Sequence, residues 1–115
     1  MNIITKKTLD VTEALEVYID EKFTGLTKLV QSFDEGAEGG LTLRVEVARA
    51  TAHHKKGEHI FTASALLELP GRDLRAEASA DDARVAIDRA RDILREEIEK
   101  YKAKYLEHYR SAKER

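Results

Sequence analysis

The chain has no cysteine among its 115 residues, which removes disulfides, thiolate chemistry and Cys-ligated zinc or iron–sulfur centres in one step. It also has no apolar run approaching the roughly 20 residues needed to cross a bilayer. Residues Met1 to Asp10 mix apolar and charged side chains and lack the continuous apolar stretch of a signal peptide, so a soluble, cytoplasmic protein is expected. Net charge is almost absent: 20 Lys+Arg stand against 22 Asp+Glu, a balance of −2. Taken alone, that balance argues against a nucleic-acid partner, because domains that bind phosphate backbones are usually basic.

What is present suffices for one hydrophobic core. Apolar side chains make up 42% of the chain and charged ones 37%. A protein of this mass is expected to bury about two-thirds of its unfolded surface, which supports a single domain and leaves no room for a second core. Ile3 and Ile4 mark a short strand near the start. Asp10-Val11-Thr12-Glu13 offers a helix start, with an Asx or Thr oxygen to cap free N–H groups and Glu13 at the positive end of the dipole. Leu15, Ile19, Phe23, Leu26, Val30 and Phe33 then recur at three- or four-residue steps, which predicts one amphipathic helix of about five turns. Gly25 lies inside that stripe, and Asp34 to Gly40 reads as a flexible acidic loop that ends it.

Period two takes over at Leu41. Leu41, Leu43, Val45 and Val47 alternate with polar residues, as a strand with one buried face requires. Thr51 to Glu58 is polar and basic and is expected to form a hairpin loop. A second strand covers His59 to Leu69. Pro70-Gly71 is a turn in which Pro presets φ at one corner and Gly supplies positive φ at the next. Leu74, Ala76 and Ala78 continue the alternation in a third strand of this meander. After Ser79 and Asp81, both plausible N-caps, no Gly or Pro interrupts the chain, and a helix of about 25–30 residues is expected, with Asp82 favourable in its first turn. Its stripe is Ala83, Ile87, Ala90, Leu94, Ile98, Tyr101 and Tyr105, and it is long enough to overhang the sheet. The order is β-α-β-β-β-α, an α+β fold with a four-stranded sheet and two helices packed on one face.

Catalytic and metal-binding patterns are missing. His53 and His54 are adjacent and project apart, and no i, i+4 His pair builds a helical zinc face. No serine sits in a nucleophile elbow, no glycine-rich phosphate loop follows a strand, and the abundant carboxylates interleave with Lys and Arg as on a solvated helix. No enzyme, cofactor, metal or small-molecule substrate is expected.

The distribution of charge says more than its sum. Residues 1–80 hold 10 basic and 13 acidic side chains, whereas 81–115 hold 10 and 9, and the last sixteen residues hold six basic and two acidic. Arg84, Arg91 and Arg95 fall on one side of the last helix, and Lys102 continues toward it. Arg49, His53, His54, Lys55 and Lys56 add a basic cluster at the hairpin. Segregation of this kind can hold phosphates on one side of a near-neutral protein. A long helix end rich in Lys and Arg also suits plain solvation and its own dipole, so charge alone leaves both readings open. Tyr18, Tyr101, Tyr105 and Tyr109 could stack on bases. Three of them lie on helix stripes and read as core or rim, and Tyr105 and Tyr109 on the overhang are the less settled pair.

Four segments together resemble a known family: Met1-Asn2-Ile3-Ile4; Val11-Thr12-Glu13-Ala14-Leu15; Leu67-Glu68-Leu69-Pro70-Gly71 running into Leu74-Arg75-Ala76-Glu77-Ala78; and Asp81-Asp82 with Ala86-Ile87-Asp88 and Lys100-Tyr101-Lys102. Over roughly residues 1–104 the chain is similar to bacterial ribosome hibernation-promoting factors, also called ribosome-associated inhibitors or sigma-factor modulation proteins. The resemblance is to their short class, without the C-terminal domain by which long members pair ribosomes. It implies a fold similar to double-stranded-RNA-binding domains, with 1–110 as a single ribosome-binding domain and 111–115 as a basic tail. It further implies binding of the small ribosomal subunit and its rRNA, blocking the mRNA channel and the tRNA A and P sites under stress or in stationary phase. The protein would be monomeric off the ribosome, with no membrane partner. The side chains expected to meet rRNA phosphates are Lys22 and Lys28 on the first helix, then Arg84, Arg91, Arg95, Lys100, Lys102 and Lys104 on the last, with Lys55 and Lys56 as weaker candidates. Arg44 and Arg75 are weaker still, since alternation puts them on the sheet face away from the helices. The acidic 34–40 stretch, Asp92 and Glu99 depart from a purely basic surface. The alternative implied by the family's other name is a transcriptional or protein-interaction module.

Overall fold

The computed structural model describes residues 1–8, 11–51 and 59–113. Its elements run β1 (Asn2–Thr5), α1 (Glu13–Thr24), a 3-10 turn (Thr27–Val30), α2 (Gln31–Gly36), β2 (Thr42–Thr51), β3 (His59–Leu69), β4 (Arg72–Ala80) and α3 (Ala83–Lys113). The four strands form one sheet in the order β1-β2-β3-β4, with β1 parallel to β2 and the other pairs antiparallel. This is the expected α+β architecture. Among the described residues no helix is long and apolar enough to cross a membrane.

The alternation in the strands decides which side of the sheet carries the helices. Leu43, Val45 and Val47 on β2, Ala63, Ala65 and Leu67 on β3, and Leu74 and Ala76 on β4 are all buried. They meet Leu15, Ile19 and Phe23 of α1 and Ala86, Ile87, Ala90, Leu94 and Ile98 of α3 in one core. The register places Leu43 against Leu67 and Leu67 against Leu74, so each inward row crosses the sheet without a slip. Gly71 has φ +76°, the positive value for which the Pro-Gly turn was selected.

Two helical details differ from the expectation. The first helix is not continuous. Leu26 and Leu29 donate their N–H groups only three residues back, to Phe23 and Leu26, at 3.0 Å each, so the chain tightens into a 3-10 turn after Gly25. Glycine weakens the α-helix there, and the tighter winding still keeps Leu26 and Val30 buried. Thr12 caps α1, its Oγ1 accepting from the Leu15 N–H at 3.1 Å. For α3 the cap is neither Ser79 nor Asp81 but Asp82, whose Oδ1 accepts from the Arg84 N–H at 2.8 Å. Ser79 lies in β4, with its hydroxyl 2.9 Å from that of Thr62.

The stretch after Phe33 is not a free acidic loop. Asp34 and Glu35 belong to α2, and Asp34 Oδ1 accepts from both the Met1 ammonium and the Leu41 N–H at 2.8 Å. Those bonds hold the Asp34 carboxyl below its ordinary pKa of 3.8, the ammonium contributing most. Gly40, at φ +83°, leaves this carboxylate its space, since a Cβ there would sit 3.0 Å from Oδ1. The effect is to tie β1 to the end of α2.

Helix α3 spans about 46 Å at 1.5 Å per residue, against about 36 Å for β3. Ile98 is its last buried side chain among those described, and the helix continues to Lys113, so its C-terminal turns overhang the sheet as expected.

Candidate nucleic-acid interface

Arg84, Arg91, Arg95 and Lys102 are separated by seven, four and seven residues, which are close to whole numbers of helical turns. They form a row along α3 beside its buried stripe. At the N-terminal end of the row, α1 supplies Tyr18 and Lys22. The Tyr18 hydroxyl donates to Asp88 Oδ1 at 2.7 Å, and Lys22 Nζ lies 3.8 Å from the same atom. Lys22 Nζ and the Arg84 guanidinium carbon each lie 5.3 Å from the centre of the Tyr18 ring. The ring therefore holds two cations in place by cation–π attraction while Asp88 fixes the ring. The Asp88 hydrogen bond raises the Tyr18 pKa above 10.0, so the phenol stays a donor at neutral pH.

Farther along, Arg91 Nη1 pairs with Asp92 at 2.9 Å, while its Nε is buried and has no hydrogen-bond partner. Arg95 pairs with Glu99 one turn on, at 3.4 Å. Asp92 and Glu99 thus hold these arginines rather than form a separate acidic surface. Exposed pairs of this type are worth at most about 1 kcal/mol and exchange readily for a phosphate. Lys102 is half-buried, and Lys28 is exposed on the 3-10 turn that touches α3.

The structure divides the remaining expected residues. Lys100 and Lys104 lie about 160–200° around α3 from Arg84. With Arg72 and Tyr101 they border a small hollow of about 40 Å³ at the start of β4, and Lys100 pairs with Glu97 at 3.7 Å. They belong to a different side of α3 from the row. Arg44 and Arg75 sit on the open sheet face, opposite the helices, flanking Leu66 in one cross-strand row. Lys55, Lys56, His53 and His54 lie outside the described residues. Among the described residues no three His, Asp or Glu side chains are grouped to hold a metal ion.

Sequence reasoning missed Tyr18 and Asp88 as organising residues. The spacing of Tyr18 and Lys22, one turn apart, carried half of the signal. Asp88 is 70 residues away, and only the packing of α1 on α3 brings it near.

A long helix carrying a row of three arginines and a lysine, with Lys22 of a second helix at one end, lies on the sheet of a two-layer α+β domain. A family model described as Sigma 54 modulation protein / S30EA ribosomal protein matches residues 2–105, and the chain belongs to that family. Curated relatives include ribosome hibernation promoting factors of Escherichia coli K12, 32% identical over 105 residues, and Acinetobacter guillouiae, 30% identical over 103. These matches cover 91% and 87% of this chain and 96% and 85% of the relatives. The ribosome hibernation promotion factor of Deinococcus radiodurans is 29% identical over 103 residues, and there the chain spans about half of the relative (49%). Among solved structures, the N-terminal domain of Thermus thermophilus Protein Y superposes with a TM-score of 0.65 at 26% identity, covering 88% of this chain and 99% of that one. A ribosomal subunit interface protein from Coxiella burnetii gives 0.67 at 20% identity over 90% of this chain and 99% of that one, a likeness of fold.

Proposed function

We propose that this protein silences idle ribosomes by binding the small subunit and its rRNA, where its bulk blocks the mRNA channel and the tRNA A and P sites under stress or in stationary phase. The observation that carries this reading is the row Arg84, Arg91, Arg95 and Lys102 on a single rigid helix, extended by Lys22 at the Tyr18–Asp88 contact. Family membership supports the partner, and the row supplies the chemistry. Guanidinium groups at helical spacing can meet successive phosphates of a folded RNA, recognising shape rather than base sequence. Inhibition then needs no chemical step; occupancy of the channel suffices.

Lys28 extends the proposed contact from the 3-10 turn, and Lys55 and Lys56, between β2 and β3 in sequence, are its weaker candidates. Lys100 and Lys104 meet RNA from the other side of α3, as a secondary contact. Sedimentation of purified protein with small subunits through a gradient tests the proposal. Co-migration at low salt is the expected result, and absence from the ribosomal peak would contradict it. A protein-interaction module in transcription would leave the ribosomal peak empty.

A further inference from the structure

Beyond the arginine row, α3 carries an aromatic cluster that phosphate binding does not use. Phe33 of α2 meets Tyr101 at 5.4 Å between ring centres and 66° between planes, and Tyr105 at 5.2 Å and 84°. Tyr101 and Tyr105 stack at 6.4 Å and 22°. The Tyr101 hydroxyl donates to the Pro70 carbonyl at 3.0 Å, which anchors the group to the turn between β3 and β4. Phe33 and Tyr101 are half-buried, but Tyr105 is 51% exposed. Its ring is held by two aromatic neighbours while about half of its surface faces water.

We propose that Tyr105 is a stacking site for an unpaired nucleobase of single-stranded RNA, an inference that rests on the ribosome-binding reading above. Three features point to a base. The ring is already positioned, so stacking orders little that is still free. Tyr105 lies three residues beyond Lys102, the last member of the arginine row, so a strand with phosphates on that row would bring its next bases to the ring. Two lysines precede it in sequence, Lys104 next to it and Lys102 three residues before. An apolar protein partner would need a broad uncharged patch, and among residues 99–106 of α3, where the side chains are described, the large apolar ones exposed are Tyr105 and Leu106.

The test compares Tyr105→Ala, Tyr105→Leu and Tyr105→Phe for binding to purified small subunits across salt concentrations. Loss of one base stack corresponds to about a 5- to 100-fold weaker Kd. Ala and Leu variants are expected to show it, Phe to retain wild-type binding, and the salt slope to stay unchanged, because stacking releases no counterions. Wild-type binding by the Leu variant would overturn the proposal in favour of an apolar protein contact. So would a Tyr105→Ala change of less than twofold in a protein still weakened by Arg84→Ala and Arg91→Ala. A second arm stands apart from the ribosome. The chain has four tyrosines and no tryptophan, so its tyrosine emission can be read directly. An eight-nucleotide single-stranded oligoadenylate should quench that emission in the wild type and quench it less in Tyr105→Ala. Equal quenching in both would overturn the stacking site, whereas wild-type failure to bind subunits with Tyr105-dependent quenching retained would overturn only the ribosomal reading.

Discussion

The two faces of the sheet carry similar charges in different states. On the open face, Arg44 pairs with Glu68 of the neighbouring strand at 3.1 Å, and Lys6, just past β1, pairs with Glu46 of β2 at 3.4 Å. Ile4, Lys6, Arg44, Glu46, Leu66 and Arg75 line a shallow groove of about 460 Å³ there, which mixes three cations with one carboxylate. On the helix side, cations are lined up by the α-helical repeat, and Arg91 and Arg95 find their carboxylate partners on the same helix, one and four residues away. A strand displays charges as cross-strand pairs that cancel locally. A helix face can string one sign along about 30 Å at 1.5 Å per residue. The near-neutral total therefore conceals a helix side with a row of cations and an open sheet face where cations and carboxylates are mixed across strands.

That contrast can be broken at the helix side first. Changing Arg84, Arg91 and Lys102 together to Ala should weaken small-subunit binding by at least tenfold, while unfolding free energy changes by no more than about 1 kcal/mol, as surface sites usually allow. A filter-binding titration beside a thermal melt checks both. Tyr18→Phe should act next. It removes the 2.7 Å bond to Asp88, costs about 1 kcal/mol of stability, and leaves Asp88 free to draw Lys22 away from phosphate, for a few-fold loss in binding. In the same variant, the ultraviolet phenol titration should lose the one component that the Asp88 hydrogen bond raises, which belongs to Tyr18.

Two smaller effects lie away from the α3 row. Asp34 has a lowered pKa in the folded state, so its contribution to stability is present above pH 3.8 and is lost as pH falls through the folded value. Asp34→Asn should melt below the wild type at neutral pH, and the gap in Tm should close in strong acid. Smallest of all, Arg44→Ala with Arg75→Ala should change ribosome binding by less than about twofold, because these cations sit among acids on the face away from the helices.

How much of this was legible depends on the range of the signal. The inward rows of β2, β3 and β4 follow from alternation, because a two-residue period has one reading once one face is apolar. The break after Gly25 was not legible, since three- and four-residue steps fit an α-helix and a 3-10 turn equally well. The tie from Asp34 to Met1 and Leu41 was hidden for another reason: an Asp before glycines reads as loop, and its partners lie across the fold. At the interface, the arginine row could be counted off the helix. The separation of Lys100 and Lys104 from it was present in the same count, but it was masked by grouping all lysines of the helix end together. Tyr18 and Asp88 required the packing of α1 on α3, which no local pattern contains.

The central claim is that only the helix side meets phosphates, and the salt dependence of binding tests it most directly. The slope of log Kd against log salt should be measured on small subunits for the wild type, the Arg84/Arg91/Lys102 triple variant and the Arg44/Arg75 double variant. Each lost phosphate contact should lower the slope by about 0.7–0.9. The account predicts a fall of about 2–3 for the triple variant and none for the double; equal slopes in all three proteins, or a fall confined to the double variant, would contradict it.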